Sequence, residues 1–459
     1  MTEISPPRAE PALNLVILAA GKGTRMASSR AKVLHEIGGL SLIGHALAGA
    51  RPLSPGRVAV VVGHDGDSVA AEAARLWPGV ATARQEEQLG TGHAVLQARE
   101  VLEGATGDVL VLYGDSPFVS TGTLRRLIAA RRAGAAVGVL GFEPEEPGGY
   151  GRLKLAPDGG LDAIVEAKDA TPEEAAIRLC NSGVLIFPAE RLFGWLDRLS
   201  PANAKGEYYL TDVVALARAE GLPCAAVRAS AEEVLGVNSR LELAGAEALF
   251  QQERRRAVLE SGVTMTAPET VFFSHDTRIE PDVLIEPHVV FGPGVHVRGG
   301  ARIRAFSHLE GAEVASGAIV GPYARLRPGT QVGEGAHVGN FVELKNARLG
   351  AGAKANHLAY LGDAAVGAGT NVGAGVITAN YDGVSKHRTE IGEGAFIGSN
   401  AVLIAPIRVG DGALVAAGST VLKDIPAEAL SVARADQRIL PGAAARLRAR
   451  LRAGRTPKS

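Results

Sequence analysis

The sequence predicts two folds in series: a Rossmann-like α/β domain with a mostly parallel sheet, then a parallel β-helix of hexapeptide repeats. Three observations predict them. Up to about Arg228, short apolar runs alternate with Ala/Leu/Arg-rich helical stretches, the pattern of strands joined by crossover helices. From Ile279 onward an aliphatic residue recurs at every sixth position. The composition suits both, with 46% apolar residues in a chain of 459, 58 glycines and only 4% aromatics: ample cores, many tight turns and few rings to pack.

The same composition excludes several classes. Collagen would need glycine at every third position. Lys and Arg number 48 against 49 Asp and Glu, so a net charge of −1 gives no basic excess for nonspecific nucleic-acid binding, and phosphate recognition must be local. Cys180 and Cys224 are far apart and lack any CxxC or Cys/His cluster, which argues against a disulfide framework or a zinc site and for a reducing, cytoplasmic address. The acidic, proline-containing segment Met1 to Pro11 leads into Leu15–Ala20, too short an apolar run for a signal peptide or a span. No later stretch reaches the roughly 18 apolar residues of a membrane helix, so no membrane partner is expected.

Taken in order, Leu13–Leu18, Val58–Val62, Val80–Ala83 and Val109–Tyr113 read as strands, and Leu42–Ala50, Ser68–Leu76 and Ala94–Leu102 as crossover helices. The first domain is expected over 1–235. A linker helix follows over 236–262, with Leu241, Gly245, Ala248, Gln252 and Leu259 on one apolar stripe and Glu253–Arg256 opposite. The β-helix is expected over 263–459. Its inward positions run Ile279, Ile285, Phe291, Val297, Ile303, Leu309, slip by one residue to Val314, Val320, Leu326, Val332, Val338, Leu344, and resume after an interruption as Ile391, Ile397, Leu403, Val409, Val415, Val421. Ordinary antiparallel strands would show period two. The Arg-rich tail after Leu440 is expected to be mobile and solvated, without chemistry of its own.

Two regions carry chemistry. In the first, Leu18-Ala19-Ala20-Gly21-Lys22-Gly23-Thr24-Arg25-Met26 follows a strand directly. Its glycines would let backbone N–H groups approach a phosphate, with Arg25 and Lys32 adding charge. The segment departs from both GxGxxG and the P-loop pattern. Tyr113-Gly114-Asp115 ends a strand and puts a carboxylate where a nucleotide would lie, a position suited to Mg²⁺. In the second region the hexapeptide period breaks. There Asn340, Glu343, Lys345, His357, Tyr360, Asn371, Asn380 and Tyr381 gather, together with Arg325 and Arg327, where aliphatic residues would be regular. That cluster points to a site on the β-helix, with His357 as the titratable group near neutral pH.

The first half resembles the sugar-nucleotide pyrophosphorylases. The likeness rests on the segment Leu18–Met26, Lys32-Val33-Leu34, Gln88-Leu89-Gly90-Thr91-Gly92-His93-Ala94, Tyr113-Gly114-Asp115, Tyr150-Gly151-Arg152, Val165-Glu166, Asn181-Ser182-Gly183 and Glu207-Tyr208-Tyr209-Leu210-Thr211-Asp212, in the family's order. With the second-half segments Gly321–Gly329, His337–Lys345, His357–Ala364, Asn371–Gly375 and Asn380–Gly383, the chain from Leu13 to about Arg434 resembles the bacterial bifunctional enzymes that make UDP-N-acetylglucosamine. That resemblance implies an α/β nucleotidyltransferase domain followed by a left-handed β-helix acetyltransferase domain, assembled as a homotrimer, in the supply of peptidoglycan and lipopolysaccharide precursors.

It further implies that Leu18, Ala19, Ala20, Gly21, Lys32, Gln85, Gly90, Thr91, Tyr113, Gly114 and Asp115 hold the uridine nucleotide. Gly151, Glu166 and Asn181 would hold the amino sugar, and Asp115 and Asn238 Mg²⁺. UTP and acetyl-CoA would be co-substrates, with Lys32 and Arg25 assisting uridylyl transfer and His357 acting as general base. Arg327, Lys345, Tyr360 and Asn371 would bind glucosamine 1-phosphate. Ala374, Asn380, Tyr381, Ser399, Ala417 and Arg434 would line the acetyl-CoA groove, and Glu343 would orient the base. One departure is Ala31, where the family carries proline. A non-catalytic assembly subunit would have let Lys32, Asp115, Asn238 and His357 decay. A monofunctional pyrophosphorylase with a structural β-helix gives no reason for His357, Arg327 and Asn380-Tyr381.

Overall fold

Whether apolar runs become parallel strands depends on finding cover for both faces. The run Leu13–Ala19 is buried at every position, as a central strand requires. The structure, a computed structural model, describes residues 11–453; the rest of the acidic N-terminal segment and the last six residues of the tail lie outside the described residues. The chain forms two compact units that divide between Glu253 and Arg254.

In the first unit the main sheet has the order Cys224–Arg228, Val137–Phe142, Cys180–Pro188, Asp108–Tyr113, Leu13–Ala19, Arg57–Val62, Ala81–Arg84. Only Cys180–Pro188 runs antiparallel to its neighbours on this path, so the sheet is mostly parallel. From Leu13–Ala19 the chain moves outward to one side, then returns to place Asp108–Tyr113 on the other. The carboxyl ends of these two strands thus flank a crevice at the switch in direction. Leu42–Ala50 forms the expected helix, N-capped by Ser41, whose Oγ accepts from Gly44 N at 3.2 Å. The helix expected over 94–102 differs: it runs Thr91–Leu96 and then tightens, with Gln97 N, Ala98 N and Arg99 N bonded to carbonyls three residues back.

The linker helix forms over Arg240–Glu260, but its expected stripe is wrong. Leu241, Gly245, Ala248, Gln252 and Leu259 are all exposed, Leu241 at 84%. The covered face is instead Leu243, Ala246 and Phe250, packed with Ile37, Leu42 and Val237. Phe250 also stands against Gly38, where a Cβ would lie 2.3 Å from its ring. Within the 254–260 portion, Val258 is buried and Arg254 donates to the Thr277 carbonyl at 2.5 Å.

The second unit is the hexapeptide solenoid. Short strands of two to four residues stack into three parallel sheets of ten, eight and eight strands. In one of them Ile285 pairs with Ile303, Ile303 with Val320 and Val320 with Val338, seventeen or eighteen residues apart, one full triangular coil. Every inward residue predicted after Ile279 is buried, and Ile279 packs partly buried against the same core.

The interruption expected between Leu344 and Ile391 is smaller than the sequence suggests. Leu349, Ala355, Leu361, Val366, Val372 and Thr378 continue the inward column, all buried. The period was hidden because Ala and Thr fill two of its slots. A real insertion occurs once: Val372 pairs with Ile397, twenty-five residues on, and the extra chain forms a loop around Tyr381–Lys386. Coils stack so closely that a Cβ at Gly339 would lie 2.0 Å from the Asn356 carbonyl oxygen, which explains the glycine after Val338. The tail is not structureless: Ala443–Ala453 is helical, with no buried residue.

Candidate active sites

The first site is built where strands end. After Leu13–Ala19 the chain turns through Gly23 at φ +58°, and a Cβ there would sit 2.7 Å from Lys32 Cβ. Glycine therefore lets the loop lie against Lys32. The Lys32 ammonium donates to Asp115 Oδ2 in a short ion pair and to Asn238 Oδ1 at 2.9 Å. Sequence positions 32, 115 and 238 thus converge on one point, with the lysine and aspartate side chains only 12% and 20% exposed.

A cleft of about 280 Å³ opens beside this point, lined by Leu18–Gly21, Lys32, Gln85, Gly90, Thr91, Tyr113 and Asp115, as expected, and by Gln88 and Glu207 in addition. Gln85 is 5% exposed and donates through Nε2 to the Gly90 carbonyl at 3.1 Å. Gln88 donates to the Ala20 carbonyl at 2.6 Å, tying the glycine loop to the Gly90 loop. Gly90 has φ +107°, and a Cβ would meet the Tyr208 carbonyl oxygen at 2.7 Å. The segments Gly90–Ala94 and Glu207–Asp212 dock backbone to backbone, with Gly92 N to Tyr208 O and Tyr208 N to Leu89 O, both 2.8 Å. Gly114 N donates to Leu18 O at 3.0 Å, closing the crevice floor.

Farther along, Asn181 N donates to Gly151 O at 2.8 Å, while Glu166 Oε1 accepts from Thr211 Oγ1 at 3.2 Å and lies beside Gly151. The buried Arg152 guanidinium bonds the carbonyls of Gly148 and Tyr150 and so shapes the Gly151 loop. Gly183 at φ +90° leaves room for the Tyr113 ring, against which a Cβ would stand 2.7 Å away. Burial first, then the Asp115 charge, pushes the Tyr113 hydroxyl pKa up. Burial, then Glu166 and Asp169, raises Asp212 to about 6. Arg25 is exposed on the loop. Ala31 has φ −55°, within proline's range, and its N–H reaches Asp65 Oδ2 at 3.4 Å, so the missing proline does not distort the turn before Lys32.

Asp115 and Asn238 offer two hard oxygen donors that already face one cation, the Lys32 ammonium. Two such ligands completed by substrate phosphates fit Mg²⁺. Among the described residues no cluster of three or more His, Cys, Asp or Glu could hold a metal without such help.

The second site lies on a corner of the β-helix. Residue 357 of each coil's register has an equivalent one coil away: Leu358 N bonds Asn340 O, Gly375 N bonds His357 O, Asn400 N bonds Ala374 O and Gly418 N bonds Ser399 O, at 2.8–3.1 Å. His357, Ala374, Ser399 and Ala417 therefore form one column, and Arg434 Nη1 reaches the Ala417 carbonyl at 2.8 Å. Below His357 the corner is small-residue groove. Above it stand the stacked rings of His288, Phe306, Tyr323 and Phe341, with centroids 4.8, 4.8 and 5.2 Å apart, capped by Leu358. All five hold positive φ, and Phe306 to Leu358 are 47–62% exposed.

His357 Nδ1 lies 2.8 Å from Asn340 Oδ1. A carbonyl oxygen only accepts, so Nδ1 carries the proton and Nε2 presents its lone pair. This corrects one expectation: Asn340, and not Glu343, holds the His357 ring. Glu343 accepts from Arg327 Nη1 at 2.9 Å instead. Asn340 was legible only as part of the polar cluster. Glu343, Lys345 and Tyr360 share one sheet, and Arg327 follows its Arg325–Leu326 strand directly, with its N–H bonded to Leu344 O at 2.8 Å. Asn371 sits on the sheet that carries His357, between Lys354 and Phe396. Lys386, which the sequence did not single out, lies beside Lys345, and its ammonium, then burial, lowers the Lys345 pKa. Asp363 accepts from Asn346 at 2.7 Å and from Asn380, and Tyr381 Oη donates to Gly383 O at 2.6 Å, bracing the inserted loop.

With these geometries in hand, comparison with known proteins is specific. Residues 15–260 match the MobA-like NTP transferase domain family, and residues 388–423 match the bacterial transferase hexapeptide repeat. A bifunctional protein GlmU of Ruegeria sp. (strain TM1040) is 56% identical over 445 residues, 97% of this chain and 99% of its own. Its counterpart from Azorhizobium caulinodans is 56% identical over 440 residues, 96% and 98% of the two chains, and that from Agrobacterium fabrum 52% over 443. A solved UDP-glucose pyrophosphorylase complexed with UDP-glucose aligns over 53% of this chain at 20% identity, TM-score 0.43. With an NTP-transferase unit, a hexapeptide unit and more than half of its residues shared end to end with such relatives, the chain belongs to the bifunctional GlmU family.

Proposed function

We propose that this chain acetylates glucosamine 1-phosphate with acetyl-CoA on its β-helix and transfers UMP from UTP to the N-acetylglucosamine 1-phosphate so made, releasing pyrophosphate, in its α/β unit. The observation that carries the reading is the arrangement at His357: a ring held by Asn340 with Nε2 presented, at the head of a small-residue groove, in a chain that also holds the Lys32 cleft.

In the first reaction, Arg327, Lys345 and Lys386 bind the sugar phosphate, with Tyr360 and Asn371 orienting the sugar. The amine attacks the acetyl carbon, its proton passes to His357 Nε2, and the CoA sulfur leaves along Ala374, Ser399 and Ala417 toward Arg434. A positioned base of this kind is worth about 10²–10⁴-fold. In the second, the sugar phosphate oxygen attacks the α-phosphorus of UTP in the cleft. Gly151, Glu166 and Asn181 hold the sugar, Gln85 and the Leu18–Gly21 backbone hold the nucleotide, and Lys32 with Arg25 offsets the charge that builds on the phosphates. Mg²⁺ held by Asp115 and Asn238 supplies further charge neutralisation and alignment when bound.

We also read the protein as cytoplasmic and homotrimeric, with the acetyl site shared between copies. Among the described residues no helix is long and apolar enough to cross a membrane. Asn371 stands on a different sheet from Tyr360 and Lys345, and its own outward column continues through Phe396, Leu414 and Leu430, 43–66% exposed; a second copy would cover these and complete the site. The test supplies glucosamine 1-phosphate, acetyl-CoA, UTP and Mg²⁺ and follows free thiol and pyrophosphate separately, with the particle mass measured in parallel. Absence of thiol release refutes the acetyltransferase role, and a mass other than three times 47.3 kDa refutes the trimer.

A further inference from the structure

What a cleft accepts depends on which end of a buried amide faces it. Gln85 follows the strand Ala81–Arg84 directly, is 5% exposed and lines the first cleft. Its Nε2 lies 3.1 Å from the Gly90 carbonyl and 3.0 Å from Nδ1 of His93. A carbonyl oxygen only accepts, so the amide nitrogen faces Gly90 and the oxygen, Oε1, faces the other way. Among the described residues no donor reaches Oε1.

His93 completes this lock. The amide nitrogen has two hydrogens; one goes to the Gly90 carbonyl and the other to His93 Nδ1, which must therefore be bare, with the ring proton on Nε2. The half-buried Gln97, four residues along, has its amide 3.1 Å from that Nε2 and accepts its proton once the amide oxygen turns to the ring. The His93 ring is itself placed beside Tyr208, with centroids 6.4 Å apart. Turning the Gln85 amide would set Oε1 against two acceptors at once, so only Oε1 is left for a ligand. We propose, resting on the reading that this cleft holds a nucleoside triphosphate, that His93 is the positioning residue that selects its base. The cleft takes a base with a ring N–H, as uracil has, and refuses one with a bare ring nitrogen at that place, as cytosine has. His93 is not among the residues lining the cleft and acts through Gln85 alone. An acceptor buried against a second acceptor costs on the order of tenfold to a hundredfold in binding.

The test measures Kd for UTP and for CTP on the full-length protein with Mg²⁺. In parallel it measures kcat and KM for pyrophosphate formation from each nucleotide with N-acetylglucosamine 1-phosphate. The parent should favour UTP by at least about tenfold. His93→Leu, which keeps the bulk and removes the acceptor, should lower that preference about fivefold to tenfold by raising Kd and KM for UTP, with kcat at saturation within about threefold. His93→Asn, whose Oδ1 stands near the place of Nδ1 and only accepts, should restore the preference to within about threefold of the parent. His93→Ala gives the same reading where the leucine variant does not fold. The inference is overturned by a parent that binds both nucleotides equally, by a leucine or alanine variant with the parent's preference, or by an asparagine variant that loses as much as the leucine one. A fall in kcat with the Kd ratio unmoved would also overturn it, in favour of a merely structural histidine. A parent that prefers UTP and loses that preference in His93→Leu, yet forms no pyrophosphate, supports base selection and refutes the transfer reaction; a parent that binds neither nucleotide refutes both.

Discussion

Replacing Asn340 separates orientation of the base from its presence. The bond from His357 Nδ1–H to Asn340 Oδ1, 2.8 Å long, is a neutral hydrogen bond in the resting state, worth about 1 kcal/mol net. In the proposed reaction Nε2 takes the amine's proton; the ring would then be an imidazolium and the same bond charge-assisted, worth about 1.5–3 kcal/mol. Only the difference acts on the rate, because the resting bond is present before and after binding. His357 is exposed, so water competes, and about 1 kcal/mol of the difference survives. Asn340→Ala should therefore lower kcat for thiol release about fivefold, with little change in KM for acetyl-CoA. Asn340→Asp puts a carboxylate on Nδ1, favours the protonated ring, and moves the acid limb of the pH–rate profile upward by on the order of one unit. The assay is thiol release against pH, with pyrophosphate formation as control. An Asn340→Ala enzyme within about twofold of the parent and an unmoved Asn340→Asp profile would refute the role; equal losses in both reactions would show damage to the fold instead.

Four other substitutions test the remaining assignments. His357→Ala should lower thiol release by about 10²–10⁴ while pyrophosphate formation from N-acetylglucosamine 1-phosphate continues, and Asp115→Ala should do the reverse; either variant losing both would contradict independent sites. Gly23→Ala forces a side chain to φ +58° and into Lys32 Cβ, so pyrophosphate formation should fall at least about tenfold and the first unit should lose about 1–2 kcal/mol in a denaturant titration, with thiol release spared. Asp212, raised from 3.8 to about 6, binds its proton more tightly folded than unfolded; it contributes stability below pH 3.8 that is lost as pH rises through 6. Asp212→Asn should thus stabilise the first unit by about 1–2 kcal/mol at pH 7–8, after discounting for partial exposure, and flatten the pH dependence between those values; a variant no more stable than the parent at pH 8 would remove the premise.

The fold was legible because both of its periods are enforced by burial. An α/β sheet covered on both faces needs uninterrupted apolar runs, and a triangular coil needs one inward aliphatic residue per edge. Both leave a mark that survives without alignment. What failed to show was whatever burial did not dictate. The helix Arg240–Glu260 was assigned the wrong face because its residues are polar or small on several sides, and Phe250 against the glycine at 38 decides the matter across more than two hundred positions. The coil near His357 looked broken because Ala355 and Thr378 are small enough to fill inward slots without being recognisably aliphatic. Within the sites, residues on strand ends such as Asp115 could be found from sequence. Lys386 could not, since a lysine in a loop is common everywhere, and Gln88 stood out only within a segment shared with the pyrophosphorylases, without a role of its own; only the folded chain puts them beside Lys345 and Ala20.

The corner at His357 shows why a repetitive fold can carry chemistry. Identical coils offer every corner the same backbone, so a site needs a local break in side-chain size rather than a new loop. Along this corner, five bulky residues accept a left-handed backbone that costs on the order of 1 kcal/mol each, where the other two corners use mostly glycine, with short polar Asp282, Asn346 and Asp363, and Glu428, as the exceptions. Such strain persists only where packing offsets it, and here the rings stack on one another as far as Phe341, with Leu358 capping the row. The next coil switches to Ala374-Gly375, and the groove opens there. His357, the base in the proposed reaction, thus stands at the step where the corner changes from filled to empty, with Asn340 on the filled side fixing the ring and the open side free for the acyl donor of that proposal. Shortening Phe341 to alanine should therefore weaken the Asn340 shelf and lower thiol release without touching any residue that contacts substrate, whereas an unchanged rate would mean that the ladder only supports association between copies.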